Sequence, residues 1–456
     1  MRRASLVAAA CLSLASAAAS ASSDPLTGLL ASDGEAGAGV ALSMTRSPYV
    51  DGGVRNDLIP LYLYENEHFY LHAYRVGLKF DRGESDGFDL FLTHRFEGYP
   101  SDRIPSSLSG MAERGPGMDG GIGYERRYRW GTVFGEALRD VSHTSGGNEL
   151  RLGFNYDWQR ARLRLRPYFT VSLRSARLNN YYYGVRPDEA TPTRPAYQAG
   201  AGFNNELGLY GSYRLTERWR ALAGVSATHW SSEVRDSPIV NNRMEITAMA
   251  GAVYDFSPQH ETAIPSGEPL IVKLTYGKST GCNLLPVMEL RCASTDTPDR
   301  TGVAGIEIGR PFVQRLNGWP VDIDGYLGLL RHDERGLQPD SWELNAYVKA
   351  YWYGFPWSDR VRTRVGLGTG LSYAQRIPYV EARDQAQRGR NTSRLLNYLD
   401  PSIDVSLGDL LGVRSMRETY FGFGVTHRSG IFGSSQLYGN VDGGSNYLYT
   451  YVEWTL

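Results

Sequence analysis

Apolar and polar residues alternate in short runs along most of the chain. "HFYLHAYRVGLKF" (68–80), "FDLFLTHRFEGY" (88–99), "NELRLGFNYDW" (148–158) and "ELGLYGSYRL" (206–215) each put apolar side chains on one face and polar or small ones on the other. Clusters such as "DRGESDG" supply the turns between them. "GGIGYERRYRWGTVFGEAL" reads as two strands about a tight turn, and no stretch keeps a helical period over three turns. The pattern predicts about ten strands up to "EITAMAGAVYDF" (245–256), each close to the roughly 9–11 residues that a tilted membrane strand needs. "SPQHETAIPSGEP" (257–269) has no apolar pattern and reads as a linker or long loop. About eight strands follow, from "LIVKLTYG" to "SNYLYTYVEWTL".

Such a chain is all-β, and the question is where it sits. Mean hydropathy is only −0.37, yet 30 Tyr and 52 Gly accompany the alternation. A secreted soluble protein shares some of this. A transmembrane antiparallel β-barrel accounts for more of it, because each strand is apolar on one face only and aromatic residues mark the membrane interfaces. Past the N-terminal region no run of 18 apolar residues occurs, so no helix is expected to span a membrane. The chain closes on Trp454-Thr455-Leu456, and a similar apolar ending, Tyr254 and Phe256, stands just before the linker. Two tandem barrels, of about ten and about eight strands, follow from that repetition; one barrel of about eighteen strands is the alternative.

Residues 1–21 read as a secretory signal peptide, with Arg2 and Arg3 ahead of an apolar run and Ala19-Ser20-Ala21 at the cleavage site. The expected division is therefore a signal peptide (1–21), a first barrel (22–256), a linker (257–269) and a second barrel (270–456), in a bacterial outer membrane. Losing Arg2 and Arg3 moves the formal net charge from −1 to −3, which gives no sign of nucleic-acid binding. Cys282 and Cys292, in "CNLLPVMELRC", are close enough in an exported chain to read as a disulfide rather than a redox or zinc site. His68 and His72 lie four apart on one predicted strand and read as barrel wall rather than metal ligands. "GLGTG" (366–370) has the wrong spacing for a dinucleotide loop, and no cofactor is expected.

The first half resembles the MipA/OmpV family of outer-membrane proteins over residues 36–256. The residues that carry the resemblance are "RSPYVDGG" (46–53), "IPLYLYENEHFYLHAYRVGLKF" (59–80), "NNYYYGV" followed by "YQAGAG", "LTERWRALAGV", and "SPIV" (237–240) ahead of "YDF". The resemblance implies an outer-membrane barrel without catalytic residues. For some relatives it implies a scaffold for peptidoglycan-remodelling enzymes. From its residues alone, "NNYYYGV" suits an aromatic girdle or the base of a loop.

Chemistry is suggested only near the C-terminus. In "TYFGFGVTHRS" one strand face carries Phe421, Phe423, Val425, His427 and Ser429; the other carries Gly422, Gly424, Thr426 and Arg428. The apolar face meets lipid, so His427 and Ser429 stand at one end of a lipid-facing stripe. Side chains two apart on a strand are near enough for an imidazole to activate a hydroxyl, and a carboxylate would orient the imidazole. The bland alternative is a polar cap at the membrane interface. This end of the chain, about 265–456, resembles the lipid A 3-O-deacylases, whose signature is His-x-Ser followed by an acidic residue. By that resemblance Ser429 is the nucleophile, His427 the base, and lipopolysaccharide the substrate. The acid is expected fourteen residues after the His; Asp442, fifteen after it, is the candidate, and Glu381 is another. Glu453 is expected to face inward with Tyr447, Tyr449 and Tyr451. Arg362 and Arg364 face either the barrel interior or lipid phosphates. Two classes of function thus stand side by side: an ester hydrolase acting on lipid A, or a non-enzymatic scaffold or small-solute channel.

Overall fold

The structure is a computed structural model that describes residues 25–30, 36–80, 85–99, 103–256, 269–289 and 291–456. The signal-peptide reading and almost all of the linker fall outside those residues. Alternating sequence becomes alternating exposure. Thirteen strands occupy the first half: β1 (Ala36–Arg46), β2 (Val54–Glu65), β3 (Phe69–His72), β4 (Arg75–Phe80), β5 (Asp86–Arg95), β6 (Gly117–Tyr128), β7 (Gly131–Asp140), β8 (Asn148–Asn155), β9 (Trp158–Arg160), β10 (Leu163–Arg174), β11 (Gly202–Arg214), β12 (Trp219–His229) and β13 (Met244–Asp255). β1 pairs with β13 and β10 with β11, so twelve of them close a barrel, with the short β9 continuing β8 along β10. Eight more form a second closed barrel: β14 (Ile271–Ser279), β15 (Gly302–Val313), β16 (Val321–Asp333), β17 (Ser341–Trp352), β18 (Thr363–Ala374), β19 (Leu395–Ser406), β20 (Thr419–Ser429) and β21 (Asn446–Thr455). Two tandem barrels are thus present, not one of about eighteen strands.

The first barrel has more strands than the expected ten. One reason is that 68–80 is not a single strand. It folds back at Ala73, whose φ of 54° is left-handed, and splits into the β3–β4 hairpin. The turn carries neither Gly nor Asn, the residues that usually announce that conformation. His68 and His72 are accordingly not on one strand. His68 lies exposed in the preceding turn, and His72 is buried against Glu65, with Nε2 2.9 Å from a carboxylate oxygen.

Outward side chains are apolar, as lipid requires: Leu42, Ile122, Leu152, Leu207, Leu327 and Phe423 are all more than half exposed. Inward ones are charged or aromatic and pack across both interiors. In the first, Arg75 reaches Asp89 and Glu136, Arg95 reaches Asp119 and Glu149, and Arg220 forms a two-pronged pair with Asp255. The end at which β1 begins and β13 ends, the side of the short turns, is periplasmic in barrels of this kind. There a short helix, Pro25–Leu30, buries Leu26, Leu29 and Leu30 against Leu61, Leu222 and Val253. Arg220 bonds the carbonyl of Leu29. At the opposite end the "NNYYY" segment belongs to a helix, Ala176–Tyr183, started by the Ser175 hydroxyl. It forms a lid over the loops rather than a girdle: Tyr182 and Tyr183 pack with Tyr49, Tyr99, Trp230 and Ile239.

The second barrel is filled by three tiers of side chains. Next to the periplasmic end, Arg364 grips Asp404 through two bonds and Glu453 through a third, with Tyr326 and Tyr351 also on Glu453. The middle tier sets Lys273 and Lys349 on Asp400, with Glu307 beside Lys273. The outer tier joins Arg428 to Glu381, and His332 to Glu343. Glu453, Tyr447, Tyr449 and Tyr451 therefore face inward as expected, and Arg364 serves the interior.

Candidate functional site: the last hairpin and its seat on the first barrel

The faces of β20 fall as the alternation requires. Phe421 and Phe423 are exposed, whereas Gly422, Thr426 and Arg428 are buried. Arg428 points into the lumen and bonds Glu381, the Ser372 hydroxyl and the carbonyls of Ser393 and Arg394. Glu381, brought in by the helix Tyr379–Gln387, is committed to Arg428 and the Ser445 hydroxyl, on the opposite side of the wall from His427.

His427 and Ser429 share the outward face and are half-buried. Register places His427 directly across from Asn446 on β21, and the two side chains bond through Nδ1 and Oδ1 at 2.6 Å. The Asn446 amide nitrogen donates to the carbonyl of Cys282 at 3.1 Å, which fixes the amide with its oxygen toward the imidazole. An oxygen acceptor at that point puts a proton on Nδ1 and leaves Nε2 of a neutral ring unprotonated. Ser429 lies opposite Asn397 on β19, and its Oγ accepts from the Ile431 amide at 3.2 Å. Asp442 is placed elsewhere. Its carboxylate pairs with Arg390 at 2.8 Å, and its carbonyl accepts from Arg390 and Gln385. Among the described residues, the side-chain partner of His427 is an amide and not a carboxylate.

Two neighbouring elements cover this face. One is the segment after β14. Cys282 and Cys292 form a disulfide there, and the helix Leu284–Met288 lies against β20, whose Val425 is buried. The other is the first barrel. The outward face of β2 presents Tyr62, whose hydroxyl bonds Thr369 at 2.7 Å and Asn397 at 2.6 Å. Toward the periplasmic end, Tyr64 stacks on Phe312, and Ala36 and Phe256 are buried with Ile323.

The loop between β20 and β21 goes further into that seam. Ile431 and Phe432 both have positive φ, 52° and 56°, a conformation rare for any residue with a side chain and rarer for a β-branched one. The turn throws the chain toward the first barrel. Because β3 and β4 are short, β2 pairs with β3 at three positions only, and the outer half of the wall between β2 and β5 lacks a strand. The loop occupies that place. The Leu58 amide bonds the Ser434 carbonyl at 2.9 Å, the Gln436 amide bonds Asp57, the Gln436 side chain reaches the Glu97 carbonyl, and Arg103 donates to Gly433. Leu437, Tyr438 and Val441 are buried with Leu396, and Tyr74 and Phe96 of the first barrel pack against them.

Asn446, Tyr62 and the 431–441 loop are the residues that sequence reasoning missed. Asn446 is legible in principle, since pairing the last hairpin from its apolar stripes sets it across from His427. Tyr62 and the loop depend on contacts between barrels and leave no local signal.

Both barrels present the lipid-facing bands, filled interiors and paired ends of transmembrane β-barrels, and the protein is an outer-membrane β-barrel protein. Residues 36–256 match the model of the family described as MltA-interacting protein MipA. The chain is 29% identical over 174 residues to the outer membrane protein Omp26La of Vibrio anguillarum, covering 38% of this chain and 67% of that one. It is 26% identical to the putative outer membrane protein YiaT of Escherichia coli K12, covering 50% of this chain and 92% of that one. To the MltA-interacting protein of the same strain it is 23% identical, with 50% and 93% covered. The first barrel is therefore of the MipA/OmpV family, and the match to that family stops at residue 256, before the second barrel begins.

Proposed function

We propose that the protein is a non-enzymatic outer-membrane scaffold, whose first barrel holds a peptidoglycan-remodelling enzyme of the MltA type at its periplasmic face. The observation that carries this reading is that both lumens are occupied. The first is stopped by the Pro25–Leu30 helix at one end and by the tyrosine lid at the other, and the second by three tiers of ion pairs. A filled barrel offers solutes no aqueous path, which disfavours a channel, and the likeness to the MltA-interacting protein supplies the partner class. Binding of purified MltA-type enzyme to the immobilised full-length protein in detergent tests it. Saturable binding is expected. Its absence, with both barrels shown folded by heat-modifiable electrophoretic migration, sinks the reading.

A second reading has its own observation, the oriented imidazole of His427 two residues from Ser429. Through its resemblance to lipid A 3-O-deacylases, the second barrel would cleave an acyl ester of lipid A. Nε2 of His427 would take the Ser429 proton as Oγ attacks the ester carbonyl, and would return it to the sugar oxygen as its bond to the acyl carbon breaks. Water would then release the fatty acid from the acyl-enzyme, with the same imidazole as base. Asn446 would hold the orienting place, as an amide does in some His-dependent hydrolases, while Asp442 remains on Arg390. Mass spectra of lipid A from cells making the wild type and Ser429→Ala separate the readings. Loss of one hydroxyacyl mass only with the wild type establishes the hydrolase; identical spectra leave the scaffold.

A further inference from the structure

A broad concave surface lies on the outside of the first barrel, not in a lumen. It encloses about 770 Å³ across β4 to β8, walled by Leu78, Leu90, Leu92, Ile122 and Leu150. Its cause is visible in the register. The outward positions of neighbouring strands form rows, and one row reads Leu90, Ile122, Ala137, Leu150. The next row outward reads Leu92, Gly120, Arg139, Asn148. Ala137 leaves the middle of the first row shallow between Ile122 and Leu150, and Val141 lies across Gly120 in the second.

The hollow lies in the half of the strands away from the chain termini, hence in the outer leaflet. At its outer rim stand Arg139 and Asn148, both exposed. The Arg139 guanidinium has no carboxylate partner among the described residues, whereas Arg75, Arg95, Arg151, Arg174 and Arg220 of the same barrel are all paired inward. An unpaired guanidinium at the interface, above an apolar hollow in the hydrocarbon layer, is complementary to a phosphorylated lipid. From β4 to β8 the hollow crosses four inter-strand spacings, about 19 Å. That width seats several acyl chains side by side, which favours a many-chained lipid over a two-chained phospholipid.

We propose that this face is a lipid A site, with the acyl chains lying in the hollow and a lipid phosphate on Arg139. The site belongs to the first barrel, does not include His427 or Ser429 in its lining, and rests on neither reading of the function. Native mass spectrometry of the full-length protein in detergent, titrated with purified lipid A or with dioleoyl phosphatidylglycerol, tests it. One retained lipid A is expected. Arg139→Gln should weaken retention about tenfold, the loss of one charge-assisted contact, and Ala137→Phe should abolish it by filling the hollow. Val225→Phe, on the lipid-facing side of β12, should leave it unchanged. Because Arg139 is exposed, Arg139→Gln reports on the site even if Ala137→Phe fails to fold. No retained lipid A, equal retention by Arg139→Gln and wild type, or equally tight binding of phosphatidylglycerol would each overturn the proposal.

Discussion

Replacing Asp400 by Asn is the sharpest test of how the second barrel is held closed. Asp400 is fully buried, and its Oδ2 receives both Lys349, at 2.7 Å, and Lys273, at 3.2 Å. Tyr449 donates to its other oxygen. Glu307, 3.3 Å from Lys273, is the second carboxylate of the tier, so two ammonium groups face two carboxylates. Asp400→Asn keeps the shape and removes one negative charge, leaving Lys349 without its counter-charge in a place water does not reach. Breaking a buried pair on one side costs roughly 3–5 kcal/mol, about 160- to 4,600-fold in the folding equilibrium. The neutral amide still accepts one hydrogen bond, which argues for the lower end.

The control is the double variant Asp400→Asn with Lys349→Met. It restores one charge of each sign and leaves Lys273 with Glu307, so most of the loss should be recovered and the two substitutions should couple by about 2 kcal/mol or more. Urea unfolding of the isolated variants in lipid vesicles, followed by heat-modifiable migration, reads both quantities. Tryptophan emission serves as a second probe, because two barrels need not unfold in one step. A cost below about 1 kcal/mol for Asp400→Asn, or a double variant as unstable as the sum of the singles, would refute the account of the middle tier.

The outer lid of the first barrel should be acid-sensitive. Burial would raise the Glu189 carboxyl, but two hydrogen bonds from Arg114 and the amides of Arg186 and Ala112 outweigh it and hold it at about 2, against an ordinary 4.5. Its stabilising contribution is therefore complete above 4.5 and lost as pH falls toward 2. Pepsin should cut the 103–116 and 175–201 loops at pH 2 but not at pH 4.5, and Glu189→Gln should be cut at both. Closing a loop between cysteines ten residues apart is worth roughly 2.5–3 kcal/mol to the covering segment in the chain-entropy account. Cys282→Ser with Cys292→Ser should speed tryptic cleavage after the exposed Arg291 at least tenfold; an unchanged rate would mean that packing on β20 alone holds the segment.

What the sequence disclosed follows from the range of the forces involved. Strand faces depend on a two-residue period that lipid on one side and packed polar side chains on the other enforce locally, so the inward Tyr447, Tyr449, Tyr451 and Glu453 were legible from alternation alone. The Ala73 turn was not, because an alanine adopts φ 54° only under pressure from its surroundings. The tyrosine lid was missed because "NNYYYGV" is too short to show a helical period, and its helix is held by Tyr49, Tyr99 and Trp230 from three other loops. At the last hairpin His427 and Ser429 were found by their spacing on a strand. The partner of the imidazole depends on the register of the next strand, and Asn446 is seated by a carbonyl of the disulfide segment.

The strained turn at Ile431 and Phe432 ties these observations together. Held in isolation, the second barrel would present a loop with two left-handed non-glycine residues and an apolar cluster of Leu437, Tyr438 and Val441, an arrangement that folding alone does not favour. Held against the first barrel, the loop fills a wall that β3 and β4 are too short to complete, and the backbone of Leu58 gains the acceptor a neighbouring strand would have given it. In lipid an unpaired strand edge costs several kcal/mol for each orphan amide. Each barrel thus contributes what the other lacks: an acceptor for one wall and a seat for one loop. Tyr62 bonds Thr369 and Asn397 a short way along the same seam, and Asn397 stands across from Ser429. Whatever chemistry or binding belongs to the last hairpin is therefore set by the position of the first barrel, and the two halves act as one membrane unit rather than as two barrels on a string.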